Sequence, residues 1–326
     1  MTLALAITGP TGAGKTALSL AVANALHAEI LSLDSMQIYR GMDIGTAKAT
    51  KEERASAPHH LIDILDPGEH FSVHDYETHA LTTVAELEAR GRRALFVGGT
   101  GLYLESLKRV MPPDAPESDG AFLAGLCQRF PASDGDIDRD ALWEHLRNID
   151  PDSAEKIHKN NLRRVARAVE IYETTGRTKT ELDRLSLTAP PRLAIAQITL
   201  DFHVRETLYE RIGRRVDQMI ADGLLEELET LYARGVFQHD STARQAIGYK
   251  ELLPYVENGV PLLTCIEDLK QATRRYAKRQ LTWFRHLSDV YTLYLDHEDG
   301  SMRDPDEVIT EALAYFQRKI AESESN

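Results

Sequence analysis

Residues Gly9-Pro10-Thr11-Gly12-Ala13-Gly14-Lys15-Thr16 fit the pattern G-x-x-x-x-G-K-[ST], and their flanks narrow what the chain around them can become. The apolar run at 3–7 predicts a buried strand, and residues 17–26 predict a helix that starts at the loop. A strand, a glycine loop and a helix in that order make a cradle for phosphate. Glycines let consecutive backbone N–H groups converge on one anion, and the helix N-terminus adds partial positive charge. Lys15 supplies a full charge, and the Thr16 hydroxyl is placed to ligate Mg²⁺. The alternative is a glycine-rich turn that only connects strand to helix. Such a turn would not require Lys15-Thr16 directly after Gly14.

The following sequence repeats the strand and helix alternation. Residues 29–33 predict a second strand that delivers Asp34-Ser35-Met36-Gln37 at its C-terminal end, the end where ligands sit in open parallel sheets. The apolar run 61–65 follows, then a turn at Asp66-Pro67-Gly68 and a helix over about 75–90. The strand 94–97 then runs into Gly98-Gly99-Thr100-Gly101. This is the signature of an α/β protein, a P-loop-containing doubly wound parallel sheet. From about residue 111 the composition shifts to Pro, Asp and Ala and then to helical periodicity, so residues 112–190 are expected to form a helical insertion domain. Its clearest helix starts near Asn160, with that residue as cap, and stops at Gly176. The catalytic core is then 1–111 and 191–326, with strands at 193–200 and 291–295 and helices at 205–220, 224–234, 264–287 and 307–320.

A length of 326 residues accommodates two such domains. After Met1 a strand runs into the glycine loop where a leader peptide would have a charged region and a cleavage site, and no apolar run is long enough to span a bilayer. A cytoplasmic protein with no membrane partner is expected. Cys127 and Cys265 lie far apart and outside any C-x-x-C pair, which argues against a disulfide framework or a cysteine zinc site and for small core residues. His59-His60 and the spaced His70, His74 and His79 lack an H-E-x-x-H context, so no metal is assigned to them. Trp143, Tyr232 and Phe237 are read as packing residues, and Asp63 as a structural hydrogen-bonding residue.

The net charge of −13 argues against a protein that coats nucleic acid non-specifically, but leaves room for local basic grooves. Two helices offer them. After Asn160, Val165, Val169 and Tyr172 share one face, while Arg163 and Arg167 lie nearly opposite and Arg164 to the side. In the helix 264–287, Arg274, Lys278 and Arg285 line one stripe and Tyr276, Trp283 and Leu287 line a core stripe. Such stripes suit RNA phosphate; the alternative is a solvated helix face.

Most loops of this kind bind ATP and pair with a strand that ends in an aspartate holding Mg²⁺. Here the strand 94–97 ends in glycines, and the carboxylate comes from Asp34, which could hold Mg²⁺ or act as a base.

Taken together, Gly9 to Thr16, Asp34-Ser35-Met36-Gln37-Ile38-Tyr39-Arg40-Gly41-Met42-Asp43-Ile44-Gly45-Thr46-Ala47-Lys48 and Gly98-Gly99-Thr100-Gly101-Leu102-Tyr103 resemble the tRNA dimethylallyltransferase family of the bacterial type. The likeness continues through Arg163 to Arg167, Gln245-Ala246-Ile247-Gly248-Tyr249-Lys250 and Ala277-Lys278-Arg279-Gln280-Leu281-Thr282-Trp283-Phe284-Arg285. It implies transfer of a dimethylallyl group from dimethylallyl pyrophosphate to the N6 amine of the adenosine 3′-adjacent to the anticodon. The cradled anion would be the pyrophosphate leaving group, held by Gly9, Pro10, Thr11, Gly12, Ala13, Gly14, Lys15 and Thr16, with Mg²⁺ on Thr16. Asp34 would take the amine proton, and Arg215 matches the family's pyrophosphate-binding arginine. The tRNA contacts implied are Asp34, Ser35, Met36, Gln37, Thr100, Arg163, Arg164, Arg167, Arg244, Gln245, Gly248, Tyr249, Lys278, Arg279, Trp283 and Arg285. A monomer is expected.

The chain departs from the family at Ala49, where proline is usual, and between Val110 and Gln128, which contain no basic residue where family members often carry an RNA-contacting arginine. It ends at Asn326 without the zinc-finger extension of eukaryotic relatives, as the bacterial type does. Two other classes share the glycine loop: an ATP-dependent kinase of a nucleoside or small metabolite with Asp34 as base, and a non-catalytic RNA-binding module.

Overall fold

The computed structural model describes residues 3–109, 120–133, 135–188, 191–237 and 242–325. The chain divides into two compact units, one formed by Met1–Lys108 with Leu193–Asn326 and the other by Arg109–Arg192. The expected limit at 111/112, the start of the stretch without basic residues and the near side of the limit at 190/191 fall on positions outside the described residues.

The first unit opens with β1 (Ala4–Thr8), α1 (Lys15–Ala25), β2 (Ala28–Leu33), α2 (Lys51–Ser56), β3 (His59–His60), α3 (Val73–Ala89), β4 (Arg93–Gly98) and α4 (Gly101–Lys108). The second unit contains α5 (Gly120–Arg129), α6 (Arg139–Ile149), α7 (Pro151–Lys156), α8 (Leu162–Thr175) and α9 (Lys179–Thr188). The chain then completes the first unit with β5 (Ile195–Asp201), α10 (Arg205–Ala221), α11 (Leu224–Ala233), α12 (Leu253–Asn258), α13 (Leu262–Arg285), β6 (Tyr291–Tyr294) and α14 (Pro305–Glu324).

Among the described residues, six strands form one sheet in the order β3-β2-β4-β1-β5-β6, every neighbouring pair parallel. Strand β1 shows why both faces must be covered. Leu5 and Ile7 point into a core shared with α1, α10, α13 and α14, while Ala4 and Ala6 join a second core with α3 and α4. A strand buried on both faces reads as a continuous apolar run, which is how residues 3–7 read. The strand order reverses between β1 and β4, so the loops that follow them border the crevice where such sheets bind ligands.

Two expectations need correction. The apolar run 61–65 forms no strand of the sheet: the strand beside it is the two-residue β3, at His59–His60, and Leu61 and Asp63 have φ of +60° and +57°, which breaks an extended run. Helix α8 is capped at Asn161, without a side-chain bond, and it ends at Gly176 as expected, with φ +71°.

Beyond the sheet, the first unit has a third core. Ile38, Tyr39 and Met42 pack with Val216, Leu228, Tyr249, Cys265 and Leu269, and this cluster fixes the segment after Asp34. In the second unit, Leu142, Leu146, Val165 and Val169 form the centre of a core of its own, with Cys127 packed at its margin.

Candidate active site

The glycine loop leaves β1 at Thr8 and enters α1 at Lys15. Gly12 and Gly14 have φ of +81° and +84°, a left-handed conformation that points successive amides inward. Gly14 caps α1, whose first turn has no acidic residue and no side-chain cap. The amides of Gly12, Gly14, Lys15 and Thr16 make no bond among the described residues. Behind the loop, Arg211 donates Nε–H to the Gly12 carbonyl at 3.0 Å. Lys15 folds back, its Nζ donating to the Gly9 and Pro10 carbonyls at 3.0 and 2.7 Å. Burial, and then the neighbouring Arg215 charge, brings its pKa down to about 7, so its charge is easily lost where the sequence led us to expect a full one.

Asp34 stands at the end of β2, across the same cleft, which has a volume of about 570 Å³. Its Oδ1 accepts from the Met36 and Gln37 amides at 2.8 and 3.3 Å. No described protein donor meets the other oxygen. Burial raises the Asp34 pKa above the ordinary carboxylate value, against the pull of those amides and of Lys15 and Arg215. Burial also lowers the pKa of Arg215, which lines the cleft beside Asp34. Ser35, Met36 and Gln37 line the wall, and Gln37 is locked by Ser32 Oγ donating to its Oε1 at 2.9 Å.

This wall is held from below by two charged knots. Lys48 Nζ reaches Asp43 and Asp63 at 2.7 and 2.6 Å, and Arg54 completes Asp63 at 2.7 Å. Asp63 is therefore structural, as expected. The Glu227 carboxylate accepts from the amides of Asp43, Ile44 and Gly45 at 2.9, 2.9 and 3.0 Å, and from the Tyr249 hydroxyl at 2.7 Å. Here Tyr249 departs from its expected role. Its ring is fully buried and rests against Gly45, where a Cβ would come within 2.4 Å of it, so it braces the wall and does not face tRNA. Gly248 lines the cleft and Gln245 is exposed beside it.

The third border is the loop after β4. Gln280, on α13, accepts from the Thr11 amide at 2.9 Å and donates to the Gly99 carbonyl at 3.1 Å, joining the loops after β1 and β4. Thr100 Oγ1 is buried without a hydrogen-bond partner among the described residues. Trp283 is 40% exposed, a correction to the core stripe expected for it. The buried register of α13 is Ala277, Gln280, Leu281 and Phe284, and Trp283 instead lies over Gly101.

The cations divide into two groups. Arg244 closes on Glu257 at 2.8 and 2.9 Å, Arg285 on buried Asp201 at 2.8 and 2.9 Å, and Arg167 on Glu170 at 2.7 Å. These three arginines are committed to intramolecular carboxylates. Lys278, Arg279, Arg163 and Arg164 are exposed. Arg163 and Arg164 occupy the first turn of α8, where cations oppose the helix dipole.

The IPP transferase family profile matches residues 37–287, and the isopentenyl transferase profile matches 2–66. The chain belongs to the IPP transferase family. The tRNA dimethylallyltransferase of Anoxybacillus flavithermus is 44% identical over 96% of this chain and 95% of its own. That of Halalkalibacterium halodurans is 46% identical over 88% and 89%. Among solved structures, the tRNA isopentenylpyrophosphate transferase of Bacillus halodurans superposes with a TM-score of 0.71 at 40% identity, covering 100% of this chain and 99% of that one. A eukaryotic dimethylallyltransferase acting on tRNA gives 0.80 at 30% identity, covering 99% and 79%. These family relatives are transferases, and the kinase reading of the loop is set aside.

Family membership leaves three residues that sequence reasoning passed over. Gln280 could have been found, since it is the polar residue in the otherwise apolar register of α13. Arg211 stands one helical turn before Arg215 on the same face, a spacing that was readable. Glu227 sits in an acidic run that nothing in the sequence separates from a solvated surface.

Proposed function

We propose that this enzyme transfers the dimethylallyl group of dimethylallyl pyrophosphate to the N6 amine of the adenosine 3′ to the anticodon in tRNA, releasing pyrophosphate. The observation that carries the reading is Asp34, a carboxylate with a raised pKa and an oxygen left without a protein donor, in the same cleft as an anion cradle. A kinase loop would need an acid at the end of β4, and Gly98-Gly99 stand there.

The unbonded amides of Gly12, Gly14, Lys15 and Thr16, with Lys15 and Arg215, receive the pyrophosphate. As the allylic C–O bond breaks, its electrons go to the pyrophosphate oxygen, and these donors stabilise the charge that grows there. The amine nitrogen forms the new N–C bond, and Asp34 accepts the proton it loses. The target base must leave its stack to reach the cleft. Gln280, Tyr276 and Arg215 line the cleft, and excluding water from it would protect the electrophilic carbon.

The donor set also fits Mg²⁺. Thr16 and Asp34 offer oxygens to the cleft, and no group of three or more His, Cys, Asp or Glu is placed to hold a metal among the described residues. A cation bound mainly by substrate phosphates needs only one or two protein oxygens. When bound it would neutralise leaving-group charge.

Lys278, Arg279, Trp283, Arg163 and Arg164 are assigned to the tRNA. A pair of cations in the first turn of α8 opposes the dipole by roughly 0.3–1 kcal/mol each, a cost that an anionic partner offsets. The setting proposed is the cytoplasm, where the substrate resides; among the described residues, no helix is long and apolar enough to cross a membrane.

The test is transfer of radiolabel from dimethylallyl pyrophosphate to bulk bacterial tRNA, with Mg²⁺ and without ATP, for wild type and Asp34→Ala. Label incorporated by wild type alone is expected. No label with folded wild type would sink the proposal.

A further inference from the structure

Loops of this pattern that serve nucleoside triphosphates wrap the β- and γ-phosphates with backbone amides along their length. In this chain three positions of the loop, Pro10, Thr11 and Ala13, have no amide left to offer. Pro10 has no N–H, the Thr11 amide donates to Gln280 Oε1 at 2.9 Å, and the Ala13 amide turns back to the Pro10 carbonyl at 3.3 Å. Lys15 covers the Gly9 and Pro10 carbonyls. The amides left for an anion are that of Gly12 and, at the α1 end, those of Gly14, Lys15 and Thr16.

We infer that Gln280 is a specificity-determining residue that limits this loop to a diphosphate, by filling with an acceptor oxygen the place where a third phosphate would meet the Thr11 amide. The inference rests on the pyrophosphate reading of the site given above. Three observations make Gln280 a fixed element. It is 6% exposed, and it lies in the buried register of α13 with Ala277, Leu281 and Phe284. Its Nε2 is held by the Gly99 carbonyl at 3.1 Å, which turns Oε1 toward the loop and fixes the orientation of the amide. Gly99 has no room for a side chain, since a Cβ there would stand 2.0 Å from Nε2.

A phosphate oxygen brought to Thr11 would be repelled by Oε1. Displacing the side chain would strip the buried Gly99 carbonyl of its donor. An acceptor placed inside a phosphate cradle is thus a built-in element against the wrong ligand. The class accepted is an organic diphosphate ester, and the class rejected is the abundant nucleoside triphosphate.

Calorimetric titration with magnesium pyrophosphate and magnesium tripolyphosphate tests this on wild type, Gln280→Ala and Gln280→Met. Wild type is expected to prefer pyrophosphate by about tenfold or more, the effect of one misplaced charge-assisted hydrogen bond. Gln280→Ala opens the space and releases the Thr11 amide, and should bring the two affinities within about threefold. Gln280→Met keeps the volume without the oxygen and should fall between. The ratio is taken within one protein, so a changed folded fraction cancels. An unchanged ratio in Gln280→Ala, or a wild type that binds both anions equally, overturns the inference. Failure of wild type to prenylate tRNA would instead overturn the function proposed above, whereas an unchanged ratio in a transfer-competent protein removes only the role of Gln280.

Discussion

At the phosphate loop the partners of each functional group lie mostly within a few positions of it, whereas of the three paired arginines on the basic faces Arg167 alone meets so near a partner, Glu170, and Arg244 and Arg285 reach farther along the chain. Lys15 meets Gly9 and Pro10, and Asp34 meets Met36 and Gln37. Arg285, by contrast, finds Asp201 across 84 positions, and Arg244 finds Glu257 across 13. The difference is physical. A glycine loop at a helix N-terminus is an anion site because of its own backbone. A cation on a helix face is available to a partner only if no carboxylate folds onto it, which tertiary structure decides.

The largest effect expected on either side is at Asp34. Asp34→Ala should lower kcat by about 10²–10⁴-fold while KM for dimethylallyl pyrophosphate stays within about threefold. Steady-state kinetics decide; equal losses in kcat and donor affinity would make Asp34 a binding group. Next comes Arg285, on the other side of the comparison. Arg285→Ala leaves the buried Asp201 carboxylate without its guanidinium, and thermal melting should show a loss of about 1–3 kcal/mol. If stability holds while tRNA affinity falls, Arg285 belongs with the RNA-facing cations after all.

The same contrast explains what was legible. The strands are continuous apolar runs that must be buried on both faces, and the helices of the core announce themselves by period, so the doubly wound sheet could be read directly. The site was legible where local backbone makes the chemistry: Gly12, Gly14, Lys15 and Thr16 in one loop, Asp34 at a strand end. It was not legible where a contact joins distant segments. Tyr249 looked like a surface contact because nothing local shows Gly45 pressed on its ring or Glu227 taking its hydroxyl. Trp283 and Tyr276 both fit an apolar stripe to within a helical step, and only the packing of Gly101 under Trp283 tells which one turns outward.

A pH dependence sharpens the comparison from the phosphate side. Lys15 has a pKa of about 7 before the anion arrives, and the anion will raise it, so binding takes up a proton above that pH. Pyrophosphate affinity should fall as pH rises past 7, by at most about tenfold per unit. A guanidinium does not titrate in this range, so Lys15→Arg should remove that component, and the difference between the two titrations isolates it. Parallel curves would mean that Lys15 keeps its charge throughout. The acid limb of turnover belongs to Asp34. Because its pKa is raised, activity should begin to fall, as pH drops, above the ordinary carboxylate range.

The smallest effect is the one that separates the two kinds of cation. Lys278 is exposed on α13, on the helix that also carries Arg285. If Lys278 meets an RNA phosphate, Lys278→Ala should weaken tRNA binding uniformly across substrates and flatten the dependence of log affinity on log salt by a little under one, about the yield of one released counterion. Arg285→Ala, compared at equal folded fraction, should leave that slope where it was, because its guanidinium neutralises Asp201 and not the nucleic acid. Filter binding at several salt concentrations reads both. Two equal slopes that match wild type would remove Lys278 and Arg285 from the interface and leave Arg279, on the same helix, and Arg163 and Arg164, against the dipole of their own helix, as the remaining exposed contacts to examine.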